Sequence, residues 1–234
     1  MGVFAGPDIN ESGLVLSLDA ANRKSYSGSG TTWTDLSGNG NNGTLVNGPT
    51  YSSANGGSLS FDGVDDYVNL GTSKFQYQDN FTLESWFRFP SLPTNTGAQC
   101  SARHPIVYNH DYGYNLLIGT SGLLDWNIYN TVSSNRSANS ISSVLGSSYF
   151  HAVGIKSGTT ISLYLNGVLQ SSQNLTTNAV YYVGEPFVIG GFAVCGSNRF
   201  YSTGNIPVVR VYNRALSAAE IQRNFNAMRG RFGI

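Results

Sequence analysis

Gly, Ser, Asn and Thr interrupt this chain about every ten residues, and the segments between them are short runs rich in Val, Ile, Leu, Tyr and Phe. Evenly spaced turn residues between β-favouring runs point to an all-β antiparallel sandwich or jelly roll, because each strand must turn back within its own length. The expected strands are "GLVLSLD" (13–19), "SLSFDG" (58–63), "DYVNLG" (66–71), "FTLESWFRF" (81–89), "HPIVYNH" (104–110) and "YNLLIGT" (114–120). A second set follows: "LLDWNIYN", "YFHAVGIKSG", "TISLYLNGVLQSSQNL", "PFVIGG" and "IPVVRVYNRAL". In 81–89, Phe81, Leu83, Ser85, Phe87 and Phe89 share one face and Thr82, Glu84, Trp86 and Arg88 the other, the period of a strand with one buried side. Asn166-Gly167 supplies two positive φ values, so it predicts a tight type I′ hairpin.

One helix is predicted, "LSAAEIQRNFNAMRG" (216–230). Ser217 and Glu220 form a capping box, Leu216 can staple onto Ile221, and Gly230 is the expected stop. Ile221, Phe225 and Met228 make one apolar stripe suited to packing on a sheet, and Arg229 and Arg231 lie where the helix dipole favours cations.

A chain of 234 residues with 40% hydrophobic content can bury one sizeable core. Charged residues make up only 11% and balance to zero, so nucleic acid and anionic membranes are not expected partners. The start "MGVFAGPDINESG" has neither a basic opening nor an apolar run, so no signal peptide is expected, and position six is Gly where a myristoylation signal wants Ser or Thr. With no apolar segment of about 18 residues, membrane insertion is not expected either. Residues 1–12 lack periodicity and read as an arm, leaving 13–234 as the domain.

In order and spacing, "WTDLSGNGNNGTL" (33–45), "LSFDGVDDYVNLG" (59–71), "FTLESWFRF", "YFHAVGIKSGTTISLYLNGVLQSS" (149–172), "FVIGG" and "VRVYNRALSAAEIQRNFNAMRG" (209–230) resemble the concanavalin A-like jelly rolls of the laminin G-like type. The resemblance covers about residues 13–229 and implies a non-catalytic, lectin-like binding domain. The glycine-rich form, with its helix ending in "NAMRGRFGI", is also similar to structural proteins of tailed phages. That likeness implies a product of the host cytoplasm assembled into a virion, surface-exposed. Other virion proteins and a host-surface glycan would be its partners, and a homo-oligomer is left open.

Candidate sites follow from both sources. "DLSGNGNNG" sets Asp35, Ser37 and Asn39 at the first three ligand positions of a calcium loop, yet the twelfth position is Val46 instead of a bidentate Glu. Asp35 and Ser37 bonding to backbone N–H groups is the competing reading, and the expected one, so no cofactor is required and calcium is the one metal in question. Asp62, Asp65 and Asp66 in "FDGVDDY" admit the same two readings, metal ligands or an Asx turn.

In the related pentraxin jelly rolls, the loops corresponding to 108–114 and 192–202 carry the ligand site. Asn109 and Asp111 match that pattern only in part and 192–202 has no carboxylate, so the expected ligand-binding residues are Asn109, Asp111, Tyr112, Trp126, Asn198, Arg199 and Tyr201, whose stacking faces and polar groups suit a sugar without a double calcium site. Cys100 and Cys195 read as loop positions near that edge. They stay free thiols in a reducing compartment and form a loop-to-loop disulfide in a particle that leaves the cell.

Catalysis has little support, because Glu11, Glu84, Glu185 and Glu220 are isolated and no run sets two carboxylates on one strand face. Three readings therefore stand: a glycan-binding virion protein, an architectural capsid-decoration or tail cement protein without a small ligand, and a glycoside hydrolase only if two distant carboxylates converge.

Overall fold

The computed structural model describes residues 8–92, 103–109, 113–131, 134–182, 184, 186–193 and 199–234. The strands are β1 (Leu14–Asp19), β2 (Thr32–Trp33), β3 (Gly43–Val46), β4 (Thr50–Ser52), β5 (Ser58–Asp62), β6 (Tyr67–Thr72), β7 (Asn80–Arg88), β8 (His104–Asn109) and β9 (Tyr114–Ile118). They continue as β10 (Leu124–Thr131), β11 (Ser134–Asn139), β12 (Phe150–Ser157), β13 (Thr160–Leu165), β14 (Val168–Asn174), β15 (Pro186–Ile189), β16 (Gly191–Ala193), β17 (Arg199–Tyr201) and β18 (Thr203–Tyr212). The helix α1 (Ala218–Phe232) closes the chain.

Sixteen of the described strands form two antiparallel sheets, and β16 and β17 pair with each other alone. The first runs β14-β13-β12-β7-β18-β5-β4, with β1 also paired to β18, and the second runs β11-β10-β9-β8-β15-β6-β3-β2. This is the two-sheet jelly roll that the strand spacing predicts. One continuous core fills the space between the sheets, with Phe81, Leu83 and Phe87 from the first meeting Tyr114, Leu116 and Trp126 from the second. Asn166 (φ 50°) and Gly167 (φ 80°) take the left-handed pair that the β13–β14 hairpin requires.

Trp126 is the deepest link between the sheets: it is wholly buried, and its indole N–H donates to the Ile155 carbonyl at 3.0 Å. Gly154 makes this possible, since a Cβ there would stand 2.4 Å from Trp126 Cδ2. Gly154→Ala is therefore expected to overpack the core and lower the unfolding free energy by about 1–3 kcal/mol. Urea denaturation measures this directly, and an unchanged midpoint would contradict the close approach.

α1 lies on the outer face of the first sheet. Its apolar stripe packs as expected: Phe225, Met228 and Phe232 cover Trp86, Tyr149 and Val208, while Ile221 joins Leu216, Val153 and Tyr212. Trp86 stacks against Phe232 at 4.3 Å and Phe225 at 5.9 Å, contacts each worth about 0.5–1.5 kcal/mol beyond burial. The Ser217–Glu220 capping box is formed. The stop differs from the expected one: α1 runs through Gly230 and ends at Gly233, which takes the left-handed φ of 73° and donates to the Arg229 carbonyl. The further turn lets Phe232 reach Trp86 and lets Arg231 bind Asp19 at 2.7 Å, contacts that outweigh the cost of a mid-helix glycine. Among the described residues no helix is long and apolar enough to cross a membrane.

Candidate ligand-binding face

In β10 the sequence "LDWNIYNT" alternates. Leu124, Trp126 and Ile128 enter the core, so Asp125, Asn127 and Tyr129 stand on the outer face of the second sheet. Tyr114, Leu116 and Ile118 of β9 and Ala138 of β11 also point inward, which turns Asn115, Leu117, Ser137 and Asn139 outward. Strand register then aligns them: Ser137, Asn127, Asn115 and Tyr108 are direct cross-strand neighbours on four adjacent strands, and Asn139 and Asp125 form the next row.

Each row is joined across strands by a side-chain hydrogen bond. The Ser137 hydroxyl donates to Asn127 Oδ1, and Asn139 Nδ2 donates to Asp125 Oδ1 at 2.5 Å. Burial pushes the Asp125 carboxyl up, opposed by the Asn139 hydrogen bond and by the Arg103 guanidinium. Gly119 leaves space for this carboxylate, since a Cβ there would come within 2.8 Å of Asp125 Oδ2. Beyond β9 the outer face turns apolar, where Tyr108, Leu117 and Val188 pack under Phe200 of the β16–β17 hairpin. A carboxylate, a set of amides and a half-buried tyrosine thus sit on rigid strands beside an apolar wall. Asn115, Asn127, Leu117 and Tyr108 are buried, so the partly exposed Asp125, Tyr129, Ser137 and Asn139 are the groups that can exchange hydrogen bonds with hydroxyl groups and meet an aliphatic ring face.

Several expected site residues stand elsewhere. Trp126 offers no stacking face, because it belongs to the core; its neighbours in sequence occupy the face instead. Asn109 is also buried, opposite core Tyr114, with its amide donating to the Lys74 carbonyl at 3.5 Å. Tyr201 is half-buried beside Tyr67, their rings 6.3 Å apart. Asp111, Tyr112, Asn198, Cys100 and Cys195 lie outside the described residues, as does the side chain of Arg199. Asn115, Asp125, Asn127, Ser137 and Asn139 were not singled out from sequence, although the alternation in "LLDWNIYN" carries the signal for two of them.

The 35–43 loop is organised as a turn. Asp35 Oδ1 accepts from Ser17 N and Ser37 N at 2.9 Å each, and Oδ2 accepts from Ser37 Oγ at 2.8 Å and Asn41 N at 3.0 Å. Asn39 donates its side-chain amide to Ser37 Oγ at 3.0 Å. A calcium ion there would have to displace these donors. Asp62, Asp65 and Asp66 hold carboxylate oxygens within 4.8 Å of one another, in a loop bound by Asp62 Oδ1 to Val64 N at 2.8 Å and Asp66 Oδ2 to Asp62 N at 3.1 Å.

His104 anchors the start of β8. Its ring stacks on Phe89 at 4.5 Å, Nε2 meets the Ser91 carbonyl at 2.5 Å, and Nδ1 accepts from Thr203 N at 3.3 Å. Burial lowers its pKa, partly offset by the bond to Ser91, to about 4. The folded state therefore favours the neutral ring, and below the ordinary value near 6.5 the unfolded chain binds a proton that the folded one refuses. Stability is expected to fall by up to about 3 kcal/mol between pH 6.5 and 4, and His104→Gln should flatten that window in urea titrations. A midpoint that does not move between those pH values contradicts the assignment.

A family model described as the concanavalin A-like lectin/glucanases superfamily, of the third laminin G type, matches residues 62–222. No curated protein sequence matches the chain. Among solved structures, the binding domain of Paraclostridial Mosquitocidal Protein 1 is similar at TM-score 0.71 and 18% identity, over 92% of this chain and 52% of that one. The binding domain of botulinum neurotoxin serotype D is similar at 0.69 and 16%, over 93% and 52%. That of botulinum neurotoxin DC in complex with rat synaptotagmin II is similar at 0.70 and 13%, over 94% and 52%. The chain spans about half the length of these structures, and at such identities the likeness is one of fold.

Proposed function

The chain belongs to the concanavalin A-like lectin/glucanases superfamily, in its laminin G-like branch, and on that premise we propose that it is a non-catalytic recognition domain holding a surface glycan on the outer face of its second sheet. The observation that carries this reading is the partly exposed group Asp125, Tyr129, Ser137 and Asn139 on the outer face, held in register on β10 and β11 and backed by the buried amides of Asn127 and Asn115. Amides and a carboxylate fixed on strands lose little entropy on meeting hydroxyl groups, which suits a neutral sugar.

The same face argues against hydrolysis. Glycosidases set two carboxyl groups about 5–9.5 Å apart. Among the described residues, Asp125 on β10 and Asp66 at the start of β6 are separated by four strand steps, about 19 Å. Glu84 is buried beneath α1 and Glu220 is held by Ser217 and Arg214, so neither faces this surface.

Display on a virion is supported by the likeness of "NAMRGRFGI" to the ends of phage structural domains. Many copies on one particle would raise a weak single-site affinity through effective concentration. The solved binding domains of similar fold are consistent with a host-surface partner. A glycan-array scan with calcium and again with chelator tests the proposal: retained binding to a defined glycan class under both conditions is expected, and an empty array overturns the glycan reading in favour of an architectural role.

A further inference from the structure

Lys156 stands near the end of β12, on the same side as Ala152 and Gly154, which face the core. Its side chain is wholly buried at one end of the sandwich. The ammonium is surrounded by four oxygens: the Gln78 carbonyl at 2.5 Å, Asn178 Oδ1 at 2.6 Å, the Gly158 carbonyl at 2.8 Å and the Asp79 carbonyl at 3.3 Å. An ammonium group has three N–H donors, so the acceptors outnumber what hydrogen bonding alone can use. Asn178 also donates to the Asp79 carboxylate, which sets a negative charge beside the cage. Hard oxygens, mostly backbone carbonyls drawn from three separate segments around one positive charge, are the ligand set of an alkali or alkaline-earth cation.

We propose that this cage is a cation site whose built-in occupant is the Lys156 ammonium, which does the work of a bound metal in fastening the 175–182 loop. That loop is joined to the 77–79 segment by Gln78 Nε2 to the Val180 carbonyl at 3.1 Å, Val180 N to Gln78 Oε1 at 2.8 Å and the Tyr182 hydroxyl to the Tyr77 carbonyl at 2.7 Å. It then reaches β10, where Tyr181 N donates to the Tyr129 carbonyl at 2.9 Å and Thr176 Oγ1 accepts from Asn130 at 2.7 Å. Lys156 is thereby a positioning residue for the rim of the outer face. Its relation to ligand binding rests on the reading above, whereas the cage itself does not.

The test uses Lys156→Ala, which opens the cage, and Lys156→Met, which fills it without charge. In tetramethylammonium chloride, whose cation is too bulky to enter, both are expected to melt lower than the parent by on the order of 10 °C. Replacing that salt at equal ionic strength by ammonium, potassium or calcium chloride should restore more than half of the loss in Lys156→Ala, and none in Lys156→Met or the parent. If Lys156→Ala does not fold alone, its refolding from urea into the same salts is the equivalent measurement, with recovery expected in at least one of them. Equal responses of the two variants to every cation, or no refolding in any, overturn the proposal. No ligand is present in these experiments, so failure of the glycan reading leaves their outcome intact.

Discussion

Replacing Arg210 with methionine is expected to lower the unfolding free energy by about 3–5 kcal/mol at neutral pH, because it strands the buried charge of Glu84. Glu84 projects from β7 beneath α1, with no exposed surface. Arg210 Nη1 meets its Oε1 at 2.7 Å, His151 Nε2 lies 3.2 Å from the same oxygen, and Asn224 of α1 donates to Oε2 at 2.7 Å. Burial alone would push the carboxyl up; Arg210, His151 and Asn224 more than reverse this and leave it at about 2. The sign follows: a carboxyl held below its ordinary value stabilises the fold above about pH 4.5, and that contribution is lost as pH falls toward 2.

In Arg210→Met burial dominates, so the acid limit of stability should move to higher pH. The double variant Glu84→Leu with Arg210→Met should be milder than the single one, since replacing both partners leaves no orphaned charge. Urea denaturation of the three proteins checks the order, and equal stability of parent and Arg210→Met would contradict it. The network also reaches residue 10, as Asn224 Oδ1 accepts from Asn10 N at 2.8 Å, so the double variant should keep that bond.

Substitution of the outer face should remove ligand binding while the two-sheet fold persists. Asp125→Ala deletes the one described carboxylate on that face, and Asn127→Ala deletes the centre of the polar ladder. A charge-assisted hydrogen bond contributes about 1.5–3 kcal/mol and a neutral one about 1 kcal/mol, so the double variant should bind the array-identified glycan about a hundredfold or more weakly. Its melting temperature should fall by a few degrees, because Asn127 is buried and the Ser137 and Asn139 donors lose their acceptors, so binding is compared well below both transitions. Arg229→Ala, at an exposed position of α1 on the opposite side of the sandwich, should bind normally. Weakened binding by Arg229→Ala, with the face variants unchanged, would move the site.

Much of the fold was legible in the sequence, because it follows from local signals. Period-two alternation in 81–89, the Asn166-Gly167 pair and the Ser217–Glu220 box each act within a few residues. The end of α1 was misplaced by three residues because the contacts that extend it, Phe232 on Trp86 and Arg231 on Asp19, join positions remote in the chain.

The side of β10 that faces out is set by one residue of register. An aromatic such as Trp126 suggests a stacking face, yet an indole flanked at alternate positions by Leu124 and Ile128 belongs to the core, which turns Asp125 and Asn127 to the outer side. The Lys156 cage was not legible at all. Its oxygens come from positions 78, 79, 158 and 178, and only the folded backbone brings the remote ones to one ammonium.

The most direct test of the central claim is a titration of isotope-labelled protein with the array-identified glycan, following backbone and side-chain amide signals. The side-chain NH2 signals of Asn127 and Asn139 and the backbone signals of 125–129 and 135–139 are expected to shift together and saturably. Shifts confined to the 35–43 loop or to α1, with those signals unmoved, would contradict it.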